Sequence, residues 1–501
     1  MDAHTKPHRN VAHPGERTEE FVDARAVNSK EARDLYKKRE QIYPKLVHGP
    51  WRNTKWIAMI VLLGIYYITP WIRWDRGDGQ PNQAVLVDFE GRRFYFGPIE
   101  LWPQEISYIT GLLVLASFGL FLATALFGRV WCGYACPQTV WTDLYLHVER
   151  WIEGDRSARI RLDKAPLSLD KAVKKISKHA IWLLIAVATG GAWVFYFGDA
   201  PTLMREIFTG QASLSVYLFI GILSFTTYTL AGTMREQVCT YMCPWPRIQA
   251  AMIDQEALQV TYRGDRGEPR APHKKGTSWE GRGDCIDCNQ CVAACPMGID
   301  IRDGAQLECI NCALCIDACN EVMEKVERPI NLIAYDTDRN VQRRAQGEQP
   351  RFNWIRPRTV LYAGLIVAVA ALMLYSLATR SSADLNVLRD RNPPFVRLSD
   401  GSIRNGYEIK IINKAGEDRA FLVTVAGLPG ATIASMGLTS DETGALPIVA
   451  QADTVTSLRI TVTAPDGASL PPSTPLIVRA TAVDGADDET KATVFLAGPR
   501  D

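Results

Sequence analysis

Eight of the twelve cysteines stand in two runs of one rigid spacing. The first run is C-x2-C-x2-C-x3-C-P, at Cys285, Cys288, Cys291, Cys295 and Pro296; the second is C-x2-C-x2-C-x3-C, at Cys309, Cys312, Cys315 and Cys319. This is the ligand spacing of a bacterial ferredoxin that holds two [4Fe–4S] clusters, where three thiolates of a run take one cluster and the fourth crosses to the other. Cys285, Cys288, Cys291 and Cys319 are therefore expected around one cluster. Cys309, Cys312, Cys315 and Cys295 are expected around the second. Zinc prefers two cysteine pairs with a longer gap, and no His is close by. A disulfide framework has no use for two copies of one spacing. Asn320 stands where a second Pro would be usual, but that position ligates nothing.

The other four cysteines form a second repeat. Arg129-Val130-Trp131-Cys132-Gly133-Tyr134-Ala135-Cys136-Pro137 and Arg235-Glu236-Gln237-Val238-Cys239-Thr240-Tyr241-Met242-Cys243-Pro244 each contain C-x3-C-P with Tyr between the thiols. On a helix, positions i and i+4 share a face, so each pair of sulfurs is expected to point one way. Pro after the second Cys ends or kinks such a helix. Soft thiolates select Cu(I), zinc or iron–sulfur, so the expected use is metal binding, dithiol redox, or both. Met242 is a further soft donor, although Met at such a place more often packs. His147 and His179 lie near span ends, but no bis-His pair at matched depth marks a haem site. No C-x-x-C-H, no P-loop and no G-x-G-x-x-G opening a βαβ unit occurs. Electrons are expected from a partner or a quinol.

These motifs need elements to hold them. At 501 residues the chain exceeds one ordinary domain. A polar, charged stretch (1–55) reads as a tail with a charged helix over Asp23–Tyr43, and it shows no signal peptide. Five apolar runs follow: Trp56–Trp71, Ile106–Phe127, Ile181–Phe197, Leu214–Ala231 and Val360–Leu377. A span needs about 20 mostly apolar residues to cross a core of about 30 Å, and the runs are flanked by Trp, Tyr and Arg as membrane spans are. The C-x3-C-P motifs directly follow spans two and four. Spans one–two and three–four thus read as a parallel internal repeat about an axis along the membrane normal.

Basic residues set the expected orientation. They crowd the N-terminal stretch (Lys37, Lys38, Arg39, Lys45), the loop after span two (Arg150 to Lys178) and the segment that ends at Arg351, Arg356 and Arg358. The loop between spans three and four has only Arg205. The N-terminus and the ferredoxin are therefore expected in the cytoplasm of a bacterial inner membrane, with the C-terminal part in the periplasm. All twelve Cys then fall on or near the reducing side. The net charge of +1 says little about partners, and no nucleic acid is expected among them.

From Asp384 onward, alternation of period two over 407–412, 421–425, 458–462, 474–480 and 492–496 reads as an antiparallel, immunoglobulin-like β-sandwich without Cys. The expected organisation is a tail (1–55), a four-span membrane domain (56–250), a two-cluster ferredoxin domain (251–357), a fifth span (358–378) and an immunoglobulin-like β-domain (384–501).

Taken together, the paired C-x3-C-P motifs, the double ferredoxin run and the β-domain resemble the CcoG/FixG/RdxA family of cytochrome oxidase accessory proteins. Leu388-Arg389-Asp390-Arg391-Asn392-Pro393-Pro394 and Ser399-Asp400-Gly401-Ser402-Ile403-Arg404-Asn405-Gly406-Tyr407 are similar to the family's C-terminal domain opening. The resemblance covers nearly everything from about Tyr43 onward. It implies a role in assembly of cbb3-type cytochrome oxidase through reduction of Cu(II) to Cu(I). Cys132, Cys136, Cys239 and Cys243 would then form the catalytic copper site, with copper as substrate or transient ligand. The eight ferredoxin Cys would hold the two [4Fe–4S] clusters that feed it. The implied partners are membrane lipid, oxidase-assembly and copper-delivery proteins and an unnamed electron donor, with a homodimer left open. Two other readings use the same motifs: a quinol dehydrogenase subunit similar to NapH or NosR, and a non-enzymatic assembly scaffold with structural clusters.

Overall fold

The computed structural model describes residues 40–77, 80–274, 276, 278–441, 443–465, 470–485 and 487–498. Most of the charged helix expected over Asp23–Tyr43 lies outside them. Two compact units divide at Ala371 and Leu372.

In the first unit the chain is organised by apolar helices. Among the described residues, five are long and apolar enough to cross a membrane: Pro50–Trp71, Pro103–Phe127, Leu169–Phe197, Leu214–Met234 and Pro357–Ala378. They include helices α1 (Pro50–Ile68), α2 (Ile106–Phe127), then α3 (Pro137–Glu153, not a span), α4 (Leu169–Val194) and α5 (Leu214–Thr227). All five expected spans are present. The third begins twelve residues earlier than its apolar run, because Ser168 caps α4 by accepting from the Lys171 amide at 3.2 Å. Its lysines then find carboxylates: Lys175 and Lys178 each lie 2.9 Å from Glu153. Spans three and four approach closely at Gly190, where a Cβ would stand 2.7 Å from the Ile220 carbonyl oxygen.

Helix α3 carries the buried charge that ties this unit together. Asp143 faces Arg52 at 2.9 Å and Lys55 at 3.7 Å. Glu149, 1% exposed, faces Arg159 at 2.8 Å, Arg235 at 3.0 Å and Lys178 at 3.4 Å. Burial alone would raise the Glu149 pKa, but these cations outweigh it and hold the carboxyl below its usual range. Stability from this group is thus complete above the ordinary carboxylate pKa and is lost as pH falls through the folded-state value. Glu149→Gln leaves three cations without their anion and is expected to destabilise the membrane unit by about 3–5 kcal/mol. Thermal unfolding in detergent measures this, and the variant should also show a smaller loss of stability on acidification than wild type.

Residues 40–49 differ from the loose tail expected of them. Tyr43 donates to Asp163 at 2.7 Å, the Leu46 amide to Asp155 at 2.9 Å and the Lys45 amide to the Ala293 carbonyl at 2.8 Å. The stretch is a strap across the ferredoxin and the α3 region, and alternate burial of Ile42, Pro44 and Val47 keeps it there.

After span four come α6 (Trp245–Met252) and the ferredoxin. Its core is a two-stranded antiparallel ribbon, Gln259–Tyr262 with Ile333–Asp336, and two helices, α7 (Gln290–Ala294) and α8 (Leu314–Lys325). Asn289 and Ala313 occupy matching positions in the two cysteine runs, and both have left-handed backbone, φ 56° and 61°. Helix α7 stops before Cys295, so Pro296 costs it nothing. Helix α8 continues through Cys319 to Lys325, where a Pro at position 320 would break the ladder. Asn320 instead accepts from the Asn331 amide at 2.7 Å.

The last span, α9 (Pro357–Ala378), leads into the second unit, an antiparallel sandwich of two sheets. The central pair of the first sheet is Ile403–Asn413 with Thr454–Ala464, flanked by Ala383–Arg389 and Thr432–Ser435. The second orders Leu446–Ala450, Arg419–Ala426, Ser473–Ala482 and Asp488–Leu496. Inward-facing Tyr407, Phe421, Ile460, Leu476 and Phe495 are fully buried. With no Cys after Cys319, this core rests on packing. The expected immunoglobulin-like class is thus borne out.

Candidate electron-transfer and metal site

The eight ferredoxin thiols enclose two adjoining cavities. One is lined by Cys285, Cys288, Cys291 and Cys319 with Ile286, Leu332 and Ile333 around them. The other is lined by Cys295, Cys309, Cys312 and Cys315, with Cys291 on the shared wall. Electrostatic neighbours sort the same way. Cys319 senses Cys288 and Cys285, whereas Cys295 senses Cys312 and Cys309. The crossing of the fourth cysteine of each run is therefore present in the fold. Burial pushes Cys319 and Cys295 up to about 12 and Cys309 to about 11, so a soft metal group that binds here displaces their protons. Four thiols and apolar walls fit a cubane cluster in each cavity.

The four remaining thiols converge, although not on an ordinary helix. Trp131–Ala135 and Val238–Met242 are single wide turns closed by i+5 hydrogen bonds, Cys136 amide to Trp131 carbonyl and Cys243 amide to Val238 carbonyl, both 2.8 Å. The expected α-helical i/i+4 face is thus replaced by a π-turn, a form concentrated at functional sites. Cys136 and Cys243 are extended, and Pro137 opens α3 rather than closing a helix. Cys132 senses both Cys136 and Cys243, and Cys239 senses the other three thiols. One site therefore collects all four. Burial pushes Cys132 and Cys239 up to about 12. Among the described residues, no three His, Cys, Asp or Glu side chains close on a single ion.

The two halves of this site are unlike. Cys132 is buried, donating to Gln249 Oε1 at 3.2 Å, whereas Cys243 is exposed. In the first half Tyr134 donates to the Cys312 carbonyl at 3.2 Å. A Cβ on Gly133 would stand 2.6 Å from the Ile310 carbonyl oxygen, so only glycine lets this turn lie against the second cysteine run. In the second half Tyr241 and Met242 are exposed, at 46% and 56%. Met242 thus neither packs nor faces inward. Met297 takes the inner place, buried in one apolar cluster with Cys132, Cys312, Cys239, Cys295 and Cys309. His147 packs edge-on against Trp56, and His179 Nδ1 lies 2.7 Å from the Tyr228 hydroxyl, so the two imidazoles have separate partners.

Docking of the ferredoxin on the membrane unit makes the thiol site adjoin one cavity only. Asp317 on α8 accepts from the Arg52 amide at 2.7 Å and the Trp51 amide at 3.4 Å, at the N-terminus of α1, where a carboxylate suits the helix dipole. The cavity of Cys295, Cys309, Cys312 and Cys315 is called near below, and the other far. Sequence reasoning missed Asp317, Met297, Gln249 and the hydrogen-bonding side chain of Arg129. The partners of Asp317, Gln249 and the Arg129 side chain are more than 100 positions away, so no local pattern marks them.

Comparison with known proteins agrees with this architecture. The chain is 53% identical over 475 residues to the nitrogen fixation protein FixG of Rhizobium meliloti, covering 89% of this chain and 91% of that protein. The chain belongs to the FixG/RdxA family. Other FixG/RdxA relatives are RdxB of Cereibacter sphaeroides, 54% identical with 78% and 83% covered, and RdxA of the same organism, 48% identical with 86% and 91% covered. A 4Fe-4S dicluster domain matches residues 234–338, and the IG-like fold at the C-terminus of FixG matches residues 373–498. A 4Fe-4S binding domain matches residues 109–156, a segment that holds Cys132 and Cys136. This FixG/RdxA member is a membrane iron–sulfur redox protein.

Proposed function

We propose that the chain is a cupric reductase. The single observation that carries this reading is the shared packing of Cys132 and Cys239 with the near-cavity thiols Cys295, Cys309 and Cys312. The eight ferredoxin cysteines hold the clusters, and each cluster when bound supplies one electron at a time. Cu(II) binds nitrogen and oxygen donors strongly, while thiolates favour Cu(I). Exposed Cys243 receives the ion, and Cys132 and Cys239 stand on the side where electrons arrive. Each Cu(II) takes one electron and leaves as Cu(I), so the thiols need not be consumed as a disulfide. Cu(I) would then serve the copper centre of a cbb3-type oxidase, through copper-delivery or assembly proteins. The basic loops support placing the ferredoxin in the cytoplasm.

A second reading is favoured by one feature. His179 pairs with Tyr228 at 2.7 Å on an outward-facing part of span three, beside Trp182. A ring-accepting, hydrogen-bonding pair open to lipid suits a hydroquinone, which would make the protein a quinol dehydrogenase.

Anaerobic Cu(II) reduction by the purified protein with reduced clusters, followed with a Cu(I)-specific chromophore, separates these readings. Many Cu(I) formed per protein, with about eight iron per chain, supports the reductase. No turnover with clusters intact, together with cluster reduction by a quinol that Tyr228→Phe abolishes, would replace it with the quinol reading. About twelve iron per chain would place a third cluster at the membrane-edge thiols.

A further inference from the structure

Arg129 stands three residues before Cys132, and its guanidinium is bound by the loop that leads to Cys309 and by the turn after Cys243. Nη1 donates to the carbonyls of Gln306 at 3.2 Å, Leu307, and the near-cavity ligand Cys309 at 3.1 Å. Nη2 donates to the carbonyl of Pro246, three residues past Cys243, at 3.3 Å. The Arg129 carbonyl in turn accepts from the Gly133 amide at 3.2 Å within the first thiol turn. The side chain is buried, 6% exposed. Among the described residues no carboxylate pairs with it, and its electrostatic partners are Cys309 and Cys132.

Other cations around the cysteines face carboxylates. Arg302, at the far cavity, pairs with Asp287 and Asp300, both at 2.6 Å. In the second motif Glu236 stands three residues before Cys239, and Arg235, one residue earlier, turns away to Glu149 at 3.0 Å and to the Gly232 carbonyl at 2.7 Å. The charge felt at Cys239 is that of Glu236, opposite in sign to that felt at Cys132. A buried, unpaired guanidinium is costly unless an anion completes it. The near cavity and the thiol site supply such anions once loaded.

We infer that Arg129 is the fixed positive charge that couples the near cluster to the thiol site, holding the near cluster's potential above the far cluster's so that electrons collect beside Cys132. Reduction adds negative charge, and a buried cation favours the more negative state. Around the far cluster three cations, Arg302, Arg266 and Arg328, face three carboxylates, Asp287, Asp300 and Asp284, so their charge is offset there. Electrons that enter at either cluster then settle on the near one. Arg129 acts as a positioning residue, since it does not touch copper. The part of this inference that concerns copper rests on the reductase reading; the part that concerns potentials does not.

The test is an anaerobic redox titration followed by electron paramagnetic resonance on wild type, Arg129→Gln and Arg129→Lys. A Cys288→Ala control lacks the far cluster and so assigns the signals. Arg129→Gln is expected to lower the near-cluster potential only, and to slow Cu(II) turnover on the order of tenfold, the scale of one lost charge interaction. Arg129→Lys keeps the charge and is expected to keep the potential close to wild type. An unmoved near cluster in Arg129→Gln, or an equal fall of both clusters, overturns the inference. Should Arg129→Gln fail to assemble its clusters, Arg129→Lys decides alone: a retained near-cluster potential supports the charge role, and a fallen one overturns it. A shifted potential in a protein whose wild type never reduces copper would sink the reductase reading and leave the inference standing.

Discussion

Replacing Cys132 and Cys239 together with Ala is expected to abolish Cu(II) reduction while both ferredoxin clusters stay bound. The two residues come from opposite motifs, and both pack in the apolar cluster that includes Cys312, Cys295 and Cys309. Removing them takes away the donors nearest to the near cavity and leaves Cys136 and the exposed Cys243. Loss of two soft ligands is worth at least about 100-fold in turnover. The eight cluster ligands belong to other loops, so iron content and cluster spectra should match wild type. Undiminished turnover with those spectra intact would move the copper site elsewhere and leave the C-x3-C-P pairs a structural role. A parallel loss of iron would mean that the thiols support the ferredoxin rather than copper.

Cys312→Ala should have an equally large effect by a different route. Cys312 is buried, lines the near cavity, and its carbonyl accepts from Tyr134 of the first thiol turn. The substitution removes one of four near-cavity thiols. The expected outcome is loss of about half the cluster iron, since one of two cubanes is lost. Copper turnover should cease although all four membrane-edge thiols remain. Cys288→Ala removes the far cluster instead, which adjoins no membrane-edge thiol. It should therefore leave measurable turnover when electrons are supplied by a small soluble reductant. Equal loss in the two variants would show that electrons must pass through both clusters in series, or that the ferredoxin collapses without either. Iron content and the thermal midpoint distinguish those two outcomes.

Much of this architecture was legible in the chain. A cubane cluster demands thiolates at fixed short intervals, so the motif reports the chemistry and even the crossing of Cys295 and Cys319. Membrane spans announce themselves because lipid tolerates no exposed backbone and few charges. The β-sandwich shows in strict alternation because one face of each strand is buried. Tertiary context overrides the local pattern elsewhere. The C-x3-C spacing predicts an α-helical face, because i and i+4 share one there. The turns widen by one residue, and Gly133 must fit under the Ile310 carbonyl. The helix of span three starts at Leu169, twelve residues before its apolar run, and the intervening residues include four lysines. Packing against Glu149 and Glu153 gives them partners that no window along the chain contains.

The sequence by itself determined the ligand types, their spacing, the number of spans and the class of each unit, because these follow from short-range covalent and solvation constraints. The tertiary structure alone decided which cluster adjoins the thiol site, which half of that site is buried, and where the unpaired charge of Arg129 lies. Those are questions of distance between segments more than 100 residues apart. They are settled by how Asp317, Gly133 and the strap of residues 40–49 dock the ferredoxin, and electron transfer and Coulomb energy depend on that distance rather than on order along the chain.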